Sequence, residues 1–189
     1  IAVDGAHIYE ETEEARRANR AVAYRWLEIA HRLGAPQVRI DAGGPAEMPD
    51  KVLDIILDGY HDLIRRGKEK GIEILIENHW GPSNIPENLM KILKGAPGLG
   101  LLFDTHNWQK GRQLEAWEMF APHARATHFK TFLWDAQGNE TTVDVPRAVR
   151  TLQQAGYNGC WGIESCPREV DEYQGARNTI ALLRRLVEG

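Results

Sequence analysis

Short apolar runs alternate with longer stretches of helical spacing from one end of this chain to the other. Ile1 to Val3 reads as the tail of a strand. Residues 12–33 place Ala15, Ala18, Val22, Trp26, Ile29, Ala30 and Leu33 at helical intervals, and Gly34 is set to stop that helix. Gln37 to Asp41 is a short strand, followed by the turn-forming Gly43-Gly44-Pro45. Asp50 is placed to cap a helix whose apolar positions are Val52, Ile55, Ile56, Tyr60, Leu63 and Ile64. A strand at 72–76 follows, then a helix from Pro86 to Lys94 with Gly95 after it. The pattern continues with a strand at 99–103, a helix at 112–120, a strand at 124–129, a helix at 145–155, a strand at 160–163 and a helix at 169–187.

Regular alternation of strand and helix predicts a parallel sheet covered by helices. Six β/α units share 189 residues, about 31 each. Two more units would bring the chain to the roughly 250 residues of a (β/α)8 barrel. The expected architecture is therefore a single α/β domain over 1–189, of TIM-barrel type, lacking the first two units and N-terminally incomplete. The alternative, an open doubly wound sheet, wants a glycine-rich phosphate loop after an early strand. Asp41-Ala42-Gly43-Gly44-Pro45 matches that loop poorly.

Four successive strands in the second half end in residues that bind metals or protons: Glu77, Asp104, His128 and Glu164. They lie 27, 24 and 36 residues apart, each interval about one β/α unit. A charged group at the end of a buried strand is costly unless it is paired or bound. Barrel chemistry sits at the C-terminal ends of strands, so four such residues in series point to one convergent site. Strand alternation places Leu75, Leu102, Ala126 and Gly162 beneath them as a floor, and His79, His106, Lys130 and Cys166 beyond them as a second polar tier. Three carboxylates and an imidazole suit one divalent cation. Mn²⁺, Mg²⁺ or Co²⁺ match the oxygen-rich set, and Zn²⁺ is also compatible. Beside such an ion, a carboxylate can remove a C–H proton and return it to a neighbouring carbon or to the other face, while the cation stabilises the enediolate. His79, His106 and Lys130 are positioned to bond substrate oxygens. Trp80, Trp108 and Trp134 fall just after strand ends, where a ring can wall a pocket against a sugar; Trp108 is the one assigned to substrate.

The segments Ile76-Glu77-Asn78-His79, Phe103-Asp104-Thr105-His106-Asn107, His128-Phe129-Lys130, and Gly156-Tyr157-Asn158-Gly159 through Ile163-Glu164 resemble the xylose isomerase-like barrel family. That family includes sugar phosphate isomerases and epimerases, ketose 3-epimerases, hydroxypyruvate isomerase and inosose dehydratase. The resemblance covers residues 37–187. It implies that Glu77, Asp104, His128 and Glu164 hold a single metal at the ends of strands five to eight of the full barrel. It also implies that Glu77 and Glu164 move protons on opposite faces of a sugar. Two motifs depart from the family's pattern: the histidine after Asp104 comes one place early, at His106, and the family's frequent His-x-Lys-Asp ends here in Lys130-Thr131.

Composition narrows the functional classes. The chain is 42% hydrophobic and 26% charged, with a formal net charge of −4. That balance lacks the basic footprint of a nucleic-acid-binding domain and speaks against an endonuclease on this fold. No apolar run approaches the roughly 20 residues of a membrane span. Cys160 and Cys166 fit no zinc or redox spacing and suit a reduced, cytoplasmic protein; Cys160 is expected to pack in the barrel and Cys166 lacks an activating partner. The expected partner is a small carbohydrate, and the missing units call for a second copy or an N-terminal segment at the sheet edge. The sequence thus supports a metal-dependent sugar isomerase or epimerase. A dehydratase on the same site and a non-catalytic truncated barrel are its alternatives.

Overall fold

The computed structural model describes residues 1–188 and has six strands and six α-helices among them. Strands are β1 (Ala2–Val3), β2 (Gln37–Ile40), β3 (Glu73–Glu77), β4 (Gly100–Asp104), β5 (Ala124–Thr131) and β6 (Ile163–Ser165). Helices are α1 (Glu13–Leu33), α2 (Asp50–Lys70), α3 (Pro86–Gly95), α4 (Gln113–Phe120), α5 (Val145–Gln154) and α6 (Glu172–Val187). Sheet neighbours are sequence neighbours throughout, and the paired strands run parallel. This is the α/β order of a TIM-type barrel, with the six units that the hydrophobic pattern predicts. None of the described helices is long and apolar enough to cross a membrane.

The chain divides into two compact units, Ile1–Leu102 and Phe103–Gly189, and β4 passes from one into the other. In the first unit, α1 starts where Thr12 accepts the Ala15 N–H and ends at Gly34, whose positive φ of 68° closes the last turn. It buries Ala23, Leu27 and Ala30. α2 buries Val52, Ile56, Tyr60 and Leu63. Each large apolar side chain buried in this way contributes about 1.5–3 kcal/mol. Tyr60 donates its hydroxyl to the Ile40 carbonyl at 2.8 Å, fixing α2 to the end of β2. Asp50 does not cap α2. Pro49 holds the cap position and makes no side-chain bond there, while Asp50 is the first helical residue, where its charge still favours the helix dipole.

In the second unit, α4 buries Ala116, Trp117 and Phe120, and α5 buries Val145, Ala148, Val149 and Leu152. Asp144 and Asp171 cap α5 and α6 by accepting the Arg147 and Gln174 N–H groups. The last strand differs from its predicted range. Ladder pairing occupies Ile163–Ser165, and Cys160 makes only an isolated bridge to Ala126. The reason is local: the Gly162 N–H turns back to the Cys160 carbonyl at 3.0 Å and is not free for the ladder. Cys160 is accordingly exposed and does not pack in the core. Of the expected floor residues, Leu75 and Leu102 are buried, whereas Ala126 and Gly162 are partly exposed.

Gly162 is required where β6 approaches β5, because a Cβ there would run into the Thr127 carbonyl. That obstacle is backbone and cannot swing aside. Gly162→Ala should cost about 1–3 kcal/mol of stability as overpacking, measured as a lower urea midpoint at unchanged slope. An unchanged midpoint would show that the strand has room to move.

Candidate metal centre

In the first unit the candidate residues are Glu77 and His79, at the end of β3. Glu77 is buried, and Arg39 Nε lies 3.0 Å from its Oε2. The Arg39 guanidinium also donates to Asp41 Oδ2 at 2.9 Å and to the Val3 carbonyl at 3.1 Å. Asp41 Oδ2 in turn lies 3.0 Å from His79 Nδ1. A charged chain therefore runs Glu77–Arg39–Asp41–His79, and Asp41, Glu77 and His79 each bring one ligand-type atom within 4.8 Å of the others. The hydrogen bond to Asp41 raises the His79 pKa above 6.5, outweighing the opposing effect of burial. Ser83 accepts the His79 backbone N–H at 3.1 Å and holds the turn after the strand.

The second unit gathers more of the predicted set. Asp104, at the end of β4, is fully buried; its Oδ1 accepts the backbone N–H groups of His106 and Asn107, each at 2.7 Å. This is an Asx-type turn, which the short Asp side chain forms readily just past a strand. On β5, His128 Nδ1 lies 3.3 Å from Glu164 Oε2. Lys130 Nζ lies 3.2 Å from Glu164 Oε1 and 3.6 Å from Asp104 Oδ2, and donates to Asn107 Oδ1 at 2.9 Å. Asp104, His128 and Glu164 each offer a ligand atom within 4.8 Å of the other two. The His128 imidazole, followed by the Lys130 ammonium, holds the Glu164 carboxyl at about 2, against the opposing effect of its partial burial. Glu164 is therefore ionised at neutral pH.

Thr105 and Thr131 fix this geometry. The Thr105 N–H donates to the His128 carbonyl, its hydroxyl accepts the Lys130 N–H, and its carbonyl accepts from Gln113 and Trp117. Thr131 follows Lys130 where the family's pattern often has Asp. Its hydroxyl bonds the Thr179 hydroxyl of α6 at 2.7 Å, and its carbonyl accepts the Cys166 N–H. The second polar tier divides. Lys130 joins the carboxylates, whereas His106 is exposed and meets the Phe132 ring edge-on. Partial desolvation of its ring, then Lys130 and Arg168, push the His106 pKa down. Trp108 is only 6% exposed, stacked on Phe120 and edge-on to Phe103, so it has little ring surface to offer a sugar. Burial and the nearby Glu164 push the Cys166 thiol up, which makes it a poor nucleophile.

Arg39, Asp41 and Asn107 are polar partners to which the motif reading gives no role. Asp41 carried a usable signal, since it too is a carboxylate just past a strand. Arg39 lies two positions before it on the same face of β2.

The model of the xylose isomerase-like TIM barrel family matches residues 4–186, so the chain belongs to that family. No curated protein matches it at a significant level. Among solved structures it is similar to the xylose isomerase domain protein of Planctomyces limnophilus, with 20% identity and a TM-score of 0.71 over 92% of this chain and 66% of that one. It is similar to the 3-keto-D-glucoside 4-epimerase YcjR of E. coli, with 16% identity and a TM-score of 0.78 over 95% and 75%. It also resembles a xylose isomerase-like TIM barrel protein of Mycobacterium smegmatis in complex with magnesium, with 16% identity and a TM-score of 0.73 over 99% and 72%. The chain thus spans about two thirds to three quarters of these proteins' lengths.

Asp41→Asn should lower the His79 pKa, because the charge that raises it is removed. In the parent protein the stabilisation from His79 is complete below 6.5 and is lost as pH rises through the higher folded value. Imidazole titration by NMR, with urea unfolding above and below that range, checks both effects. An unmoved His79 titration in Asp41→Asn would contradict the assignment.

Proposed function

We propose that this protein is a divalent-metal-dependent isomerase or epimerase acting on a sugar, a sugar phosphate or a related keto-polyol by proton transfer. The carrying observation is that Asp104, His128 and Glu164, from three successive strands, bring ligand atoms within 4.8 Å of one another. Two carboxylates and an imidazole at that spacing fit a single divalent cation of hard to borderline character. Glu77 is assigned as the fourth ligand. Its support is its place at the end of β3, which matches the family's pattern of ligands at successive strand ends. Magnesium in the Mycobacterium smegmatis relative and epimerisation in the E. coli one favour the same reading.

When bound, the cation supplies positive charge that polarises a carbonyl or hydroxyl oxygen. The protein's own groups do the rest. Glu164, 39% exposed at its side chain, is the group assigned to take a proton from carbon. Glu77 is assigned the partner role on the other face; the Arg39 guanidinium lies beside it, Nε 3.0 Å from its Oε2. His79, oriented by Asp41, and Lys130 are donors for substrate oxygens. The His106 and Asn107 N–H groups hold Asp104 in one orientation, which limits the rearrangement needed to bind an ion.

The test is incubation with Mn²⁺ in D2O against a panel of ketoses, ketose phosphates and keto-polyols. The expected result is an isomerised or epimerised product carrying solvent deuterium. Glu164→Gln should fold normally and lose about 10²–10⁴-fold in turnover, the usual contribution of a general acid–base group. Near-normal turnover in that variant would remove Glu164 from the proton-transfer step. Loss of water instead of isomerisation would assign the site to a lyase.

A further inference from the structure

Lys130 is only 8% exposed, yet it carries an ammonium into the group of residues assigned to the metal. Its Nζ lies 3.2 Å from Glu164 Oε1 and 3.6 Å from Asp104 Oδ2, and it donates to Asn107 at 2.9 Å. Its backbone is fixed, because its N–H is held by the Thr105 hydroxyl at 3.0 Å and it lies within the β5 ladder opposite Glu164. The four-carbon stem is the part that can move. A divalent cation drawing on Asp104 and Glu164 would meet this ammonium a few ångströms away. Like charges at that range in a partly buried place repel one another.

We propose that Lys130 is an internal counter-ion that competes with the divalent cation for Asp104 and Glu164. Entry of the metal turns its ammonium away from the two carboxylates and frees it to bond a substrate oxygen. This rests on the metal reading given above and adds to it a definite role for one side chain. A competing cation makes the site pay for every metal ion it binds, so metal affinity is set by Lys130 as well as by the ligands. It also gives the buried Asp104 carboxylate a counter-charge before the metal arrives. An ordinary structural ion pair predicts the opposite sign: removing Lys130 would loosen the site and leave metal affinity unchanged or weaker.

The experiment is calorimetric titration of Mn²⁺ into chelator-treated protein and its Lys130→Met, Lys130→Gln and Lys130→Arg variants, with folding checked by near-UV circular dichroism. Both neutral variants should bind Mn²⁺ at least about tenfold more tightly than the parent, and Lys130→Arg should stay close to it. The neutral variants should also melt lower in chelator and gain more in Tm on Mn²⁺ saturation than the parent does. Lys130→Gln and Lys130→Arg carry the comparison if Lys130→Met does not fold. Mn²⁺ affinity in the neutral variants equal to or weaker than the parent's overturns the competition while leaving the metal site standing. Absence of Mn²⁺ binding in the parent and in every variant overturns the metal reading, and the competition with it.

Discussion

A carboxylate at the end of a buried parallel strand must be given a counter-charge, and much of the polar architecture of this protein answers that demand. Asp104 is fully buried and Glu77 nearly so. Leaving such groups ionised without partners would cost several kcal/mol each. Arg39 stands beside Glu77, and Lys130 stands beside Asp104 and Glu164. Each cation is itself tied to further groups: Arg39 to Asp41 and the Val3 carbonyl, and Lys130 to Asn107. These networks hold the acidic groups in place, so their positions follow from the strands and from the cations together.

The proposed chemistry uses the same constraint. A Glu164 carboxylate held ionised by His128 and Lys130 is a ready site for a divalent ion. The depressed pKa of Glu164, about 2, is the clearest sign of that pre-set charge. Backbone N–H groups fix one oxygen of Asp104, and the threonines after β4 and within β5 fix the strands that carry the other ligands. Asp104, His128 and Glu164 lie on strands and not on loops, which suits a site that must hold its groups in fixed positions.

The fold was legible because strand and helix periodicities differ and alternate cleanly along the chain. All six strands and six helices fall close to their expected places, and the helix ends at Gly34, Asp144 and Asp171 follow ordinary capping chemistry. The boundary at Cys160 to Gly162 was not legible, because it depends on a backbone turn and on close contact with Thr127 that no residue pattern announces. That Glu77, Asp104, His128 and Glu164 lie on successive strands was readable from their spacing. Their cationic partners were harder to see. Arg39 lies inside an apolar strand and resembles an ordinary polar interruption until β2 and β3 are paired. Trp108 shows a different ambiguity, since an aromatic residue soon after a strand end suits a pocket wall and hydrophobic packing equally well; here it stacks on Phe120.

The central proposal is that one divalent cation is held by Asp104, His128 and Glu164. Equilibrium dialysis against Mn²⁺, with bound metal counted by electron paramagnetic resonance, tests it most directly. The account predicts one Mn²⁺ per chain at saturation, with affinity sharply reduced in Asp104→Ala while the fold persists. A parent protein that retains no Mn²⁺, or an Asp104→Ala variant that binds it as tightly as the parent, would contradict the account.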